Sequence, residues 1–131
     1  MVRNISLVVL AVALAGCVSK PADTSAEATV VSANTLTKDE VLVRVSGNTE
    51  EWSKGAGYYA TDGALFGVWE GKDLEGTWAV KENGVMCTKV ELWGNEEDCH
   101  TYESVDGRVF LRYEGKSFER EIKPGNQLDT F

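Results

Sequence analysis

One histidine, three cysteines and 21 acidic residues set what chemistry this chain can attempt. His100 stands beside Cys99. A zinc centre built on it needs two or three further nitrogen or sulfur ligands, and a Ser-His-Asp relay needs an oriented acid and an exposed nucleophile. The sequence places neither around it. His100 therefore reads as a hairpin residue, neither metal nor cofactor is expected, and the chain is not read as an enzyme. The carboxylates are densest at Glu96-Glu97-Asp98. Paired carboxylates about 5 to 10 Å apart serve glycoside hydrolysis and several oxygens hold calcium, but the Asp-x-Asp-x-Asp-Gly spacing of a calcium loop is absent. The run reads first as a solvated turn, second as a patch facing a partner, with carboxylate chemistry a remote third.

Cys17, Cys87 and Cys99 are an odd set, so one thiol needs a separate role. Residues 1–16 join Arg3, an apolar run from Ile5 to Ala15 and Gly16, the pattern of an export signal. The run is too short for the roughly 20 residues that span a bilayer as a helix. Its exit, Leu14-Ala15-Gly16-Cys17, resembles the lipobox of bacterial lipoproteins. The resemblance implies cleavage before Cys17 and acyl chains on that residue. Each buried methylene contributes about 0.8 kcal/mol, so one chain holds marginally and two hold stably. The expected address is the outer membrane of a bacterial envelope, facing the periplasm, because Val18 rather than Asp follows the cysteine and enterobacterial sorting patterns retain Asp in the inner membrane. Disulfides persist in that compartment. Cys87 and Cys99 are then an even pair, facing each other across a hairpin as a structural staple on its more polar side. No Cys-x-x-Cys spacing suggests redox work.

The aromatic residues are the other candidates for a site. Trp52, Tyr58, Tyr59, Trp69, Trp78, Trp93, Tyr102 and Tyr113 either fill the interior of a small barrel, the reading favoured here, or line a cavity for an apolar or sugar ligand. Tyr58 and Tyr59 are strand neighbours, so one of them faces solvent.

These residues need elements to position them. Residues 17–34 combine the lipidated cysteine with a polar stretch that lacks aromatics, and read as a flexible tether with a reach on the order of 20 to 25 Å. Residues 35–131 form one domain. Thr37 and Glu40 make a capping box and Leu36 and Val41 a hydrophobic staple, which predicts a short helix from Lys38 to Val45 stopped at Gly47. The alternation in Val41-Leu42-Val43-Arg44-Val45 competes for a strand. Beyond Gly47, the pairs Asp62-Gly63, Glu70-Gly71, Asn83-Gly84, Gly94-Asn95, Asp106-Gly107 and Glu114-Gly115 punctuate β-prone runs. That spacing predicts a mainly β fold: an antiparallel meander of seven short strands, near 51–60, 64–70, 75–82, 85–92, 99–104, 108–114 and 116–123, closing into a small barrel or strongly curved sheet, with the helix plugging one end.

The domain resembles a family of small exported domains of unknown function from Gram-negative bacteria, through "LTKDE", "SGNT", "GYYATDG", "GTWAV", "NGVMC" and "PGN". The resemblance spans Leu36 to Gln127 and implies a β-rich fold with one disulfide and no established catalytic residue.

Loss of Arg3 with the signal takes one from the 13 basic residues and leaves 12 against 21 acidic ones, a net charge of −9. Such a balance disfavours nucleic acid, whose phosphates need Lys and Arg, and suits a basic protein partner. The leading expectation is a non-enzymatic envelope lipoprotein, held to the membrane by acyl chains at Cys17, that binds another protein or supports envelope upkeep. Two alternatives follow. One is an inhibitor of a basic lysozyme-like enzyme, in the manner of the small, acylated, disulfide-stapled lysozyme inhibitors that the architecture resembles. The other is a carrier of a small apolar ligand in a lipocalin-like cavity, for which a cavity of at least about 300 Å³ is the expected sign.

Overall fold

A computed structural model describes residues 34–131 of the chain. The signal segment, Cys17 and nearly all of the tether lie outside the described residues.

The helix forms where the capping box puts it. In α1 (Lys38–Val45) the Glu40 amide donates to Thr37 Oγ1 at 3.3 Å and the Thr37 amide donates to Glu40 Oε2 at 2.8 Å. A strand would set Val41, Val43 and Val45 on one face. In the helix Val41 and Val45 are buried, at 0 % and 1 % exposure, while Val43 is 80 % exposed. Two satisfied amides at the N-terminus decide against the alternation. Gly47 ends the segment in the left-handed region at φ 74°.

Nine strands follow: β1 (Asn48–Trp52), β2 (Gly55–Tyr59), β3 (Ala64–Trp69), β4 (Lys72–Val80), β5 (Met86–Val90), β6 (Asp98–Val105), β7 (Arg108–Tyr113), β8 (Lys116–Arg120) and β9 (Ile122–Pro124). They form one antiparallel sheet in the order β8-β7-β6-β5-β4-β3-β2-β1-β9. Strands β1 to β8 make the predicted meander. The two outermost strands, β8 and β9, are joined through Glu121 alone, so one bent strand pairs first with β7 and then with β1. The Glu51 amide donates to the Glu121 carbonyl at 2.9 Å across this seam. The sheet is thereby rolled into a nearly closed barrel with little free edge.

Two of the expected strands are corrected. The run 51–60 is a hairpin, β1 and β2, turning at Ser53-Lys54, where neither residue adopts a positive φ and Gly55 after them already belongs to β2. The run 116–123 is divided at Glu121 because its two halves have different partners. Three of the turn pairs behave as their residue types require: Glu70-Gly71, Asp106-Gly107 and Glu114-Gly115 each place two successive residues at positive φ, as tight type I′ hairpins do.

Alternate residues of β3 to β7 fill the interior: Leu65, Leu74, Trp78, Val80, Met86, Val90, Tyr102 and Leu111, joined by Val41 and Val45 of α1. The helix thus covers part of this core, as expected. Cys87 and Cys99 pair directly across β5 and β6 and form the disulfide. Met86 and Thr88 flank Cys87 in β5, so alternation points its side chain to the outer side of the barrel.

Candidate functional site

The site starts from a carboxylate that ought not to be buried. Glu50 lies in the polar run Asn48-Thr49-Glu50-Glu51, yet its exposure is 0 %. It shares the inner face of β1 with Trp52. Its Oε2 accepts from Trp52 Nε1 at 2.8 Å and from the Tyr59 hydroxyl at 2.9 Å, while Oε1 accepts from the Tyr102 hydroxyl at 3.0 Å. Arg120, on the inner side of β8, brings Nε to 3.8 Å from Oε1. A lone buried ion would cost several kcal/mol; paired and hydrogen-bonded in this way it is tolerated.

The electrostatics follow from burial. Desolvation pushes the Glu50 carboxyl up, against the downward pull of Trp52, Tyr59, Arg120 and Tyr102. Tyr59 and Tyr102 are pushed far above the usual phenol range by burial and then by the Glu50 charge. His100 is partly buried and packs edge-on against Tyr102 at 5.1 Å between ring centroids. Burial, and next the Arg120 charge, pull its pKa down to about 4. Tyr113 is raised to about 12, chiefly by the neighbouring Asp98 carboxylate.

Above this cluster the barrel interior is not filled. A cavity of about 190 Å³ is lined by Glu50, Trp52, Ser53, Tyr59, Leu65, Trp69, Thr88, Trp93, Asp98, His100, Leu111, Tyr113 and Arg120. Three tryptophans gather at it, with ring centroids 6.2 Å apart for Trp52 and Trp69, 6.1 Å for Trp52 and Trp93, and 5.9 Å for Trp69 and Trp93. Trp93 sits on a short 3-10 turn (Glu91–Trp93) and is 48 % exposed. Trp52 lies over Gly57 of β2, where an added Cβ would stand 2.3 Å from the indole Cζ2. Only glycine lets the indole approach the strand so closely.

Of the aromatic residues expected at a cavity, the fold brings Trp52, Tyr59, Trp69, Trp93 and Tyr113 together. Tyr102 lies behind them, beneath Glu50. Trp78 is core, edge-on to Tyr59 and donating to the Ala60 carbonyl at 2.8 Å. Tyr58 points away from the interior, as the neighbour of an inward Tyr59 must. Glu96, Glu97 and Asp98 are exposed and line a second hollow of about 170 Å³ that shares Thr88, Trp93, Asp98 and Tyr113 with the first. His100 lies on β6, opposite Met86 in the β5–β6 hairpin, and lines the cavity wall.

Glu50 and Arg120 escaped the sequence reading. The available signal was period-two alternation, which sets Glu50 with Trp52 and Arg120 with Phe118, but neither pattern says that the shared face is covered.

A family model described as "Protein of unknown function (DUF995)" matches residues 11–118. No curated protein and no solved structure matches the chain significantly.

Proposed function

We propose for this chain, which belongs to the DUF995 family of proteins of unknown function, a non-enzymatic binding role at the cell envelope, with the barrel mouth as the binding site and acyl chains on Cys17 as the anchor. The observation that carries the reading is the contrast between the two parts of one interior. Around α1 it is packed with apolar side chains. Beneath Trp52, Trp69 and Trp93 it stays open over a charged cluster.

The same cluster is a poor proton-transfer device. General acid–base catalysis wants a group whose pKa lies near the working pH. Tyr59 and Tyr102 hold their protons far too tightly, and His100 stays neutral down to about pH 4. Binding needs none of these to titrate. At about 190 Å³ the cavity falls short of the roughly 300 Å³ or more of a drug-sized ligand site, so its occupant is a single-ring molecule or one side chain of a partner.

The outer hollow supports a second reading, docking of a basic protein, including a lysozyme-like enzyme. Glu96, Glu97 and Asp98 stand there beside Trp93 and Tyr113, a setting in which a cationic side chain gains both charge pairing and ring contact.

Tryptophan emission of the detergent-solubilised full protein tests the first reading. Single-ring acids, amines and alcohols are titrated in, and Thr88→Phe, which fills the mouth, should abolish any response. If no compound changes the emission, the mouth is not a ligand site. Capture of lysozyme on the immobilised protein at physiological salt tests the second, which fails if nothing is retained.

A further inference from the structure

Resting on the reading of the barrel mouth as a binding site, we infer that this cavity recognises a carboxylate: a small monocarboxylic acid whose charged end meets Arg120 and whose flat or short apolar body lies against Trp52, Trp69 and Trp93.

Donors and acceptors at the cavity wall do not balance. Its two carboxylates are already supplied with donors. Glu50 receives Trp52, Tyr59 and Tyr102, and Asp98 is exposed at the rim, where water supplies it. Two nitrogens have no partner. Among the described residues, the buried side-chain nitrogens without a hydrogen-bond partner are Nε2 of His100 and Nε of Arg120, and both residues line this one cavity. The rest of the Arg120 guanidinium has few acceptors: it lies over the Phe118 ring, 5.5 Å from the centroid, Nη1 donates to the Glu119 carbonyl at 3.5 Å, and the nearest Glu50 oxygen stands 3.8 Å from Nε, beyond hydrogen-bond length. Buried donors left in this state cost stability. An incoming carboxylate offers two acceptor oxygens to the guanidinium fork, and a neutral imidazole can add a third donor.

A route is present. A surface groove of about 1010 Å³ runs along the β8–β1 seam and shares Trp52, Ser53 and Arg120 with the inner cavity. Arg120 therefore stands in the wall between groove and interior.

The test uses the full protein in detergent and three probes of one shape: benzoate, benzylamine and benzyl alcohol, titrated by tryptophan emission and by calorimetry. Benzoate should bind at least ten times more tightly than either of the others, and Arg120→Gln should weaken benzoate at least ten-fold while weakening neither of the other two. Far-ultraviolet circular dichroism checks that the variant is folded; if it is not, the preference of the native protein among the three probes decides alone. Equal or tighter binding of benzylamine, or unchanged benzoate affinity in folded Arg120→Gln, overturns the inference and leaves the mouth as a site for something else. Failure of all three probes overturns both the inference and the reading beneath it.

Discussion

Glu50 and His100 hold opposite relations to the folded state, and pH separates them. The pKa of His100 falls from 6.5 to about 4 on folding, so below pH 6.5 the unfolded chain takes up a proton that the native protein refuses. The stability this residue contributes is complete above pH 6.5 and is lost as pH falls through about 4. At 1.36 kcal/mol for each pH unit, the loss reaches about 3 kcal/mol. Glu50 acts the other way, since its raised pKa makes its ionised form a cost that acidification relieves. Urea unfolding at a series of pH values should therefore show a slope between 6.5 and 4 that flattens in His100→Gln; an unchanged slope would mean that the imidazole is solvated. Glu50→Gln replaces an acceptor oxygen by an amide NH2 facing donors, and should cost on the order of 2 to 4 kcal/mol in the same measurement.

Among the elements, the β1–β2 hairpin is the one that holds the site. Glu50 pairs with Gly57 across it, and Trp52 lies over that glycine. Gly57→Ala should lift the indole off the strand, break its bond to Glu50 and move tryptophan emission to the red; unaltered emission would show that the ring has room to shift. The β5–β6 pair carries the disulfide, which closes a loop of 12 residues. Cys87→Ser with Cys99→Ser should lower stability by roughly 3 kcal/mol, while the far-ultraviolet spectrum at room temperature keeps its β-sheet character. In α1, Thr37→Ala removes the cap from the Glu40 amide and should cost about 1 kcal/mol, visible as a lower midpoint in thermal unfolding.

At the scale of the whole molecule, the proposed arrangement is a rolled sheet on a lipid leash. Mass spectrometry of protein from its native host should find an acylated amino terminus at Cys17, and Cys17→Ser should move the protein from the membrane fraction to the soluble one; an unacylated start would remove the anchor. The helix, the X-Gly hairpins and the cysteine pair were legible in the sequence because each is written locally. A capping box needs residues three apart, a type I′ turn needs two residues that accept positive φ, and the disulfide joins neighbouring strands. The Ser53-Lys54 turn was not legible, since it uses no such residue. Nor was the site. Glu50 and Arg120 are 70 positions apart and look like ordinary surface charges. Whether a charge is desolvated depends on which remote strands meet around it, and that was decided when the strand through Glu121 left β7 for β1 and rolled the sheet around them.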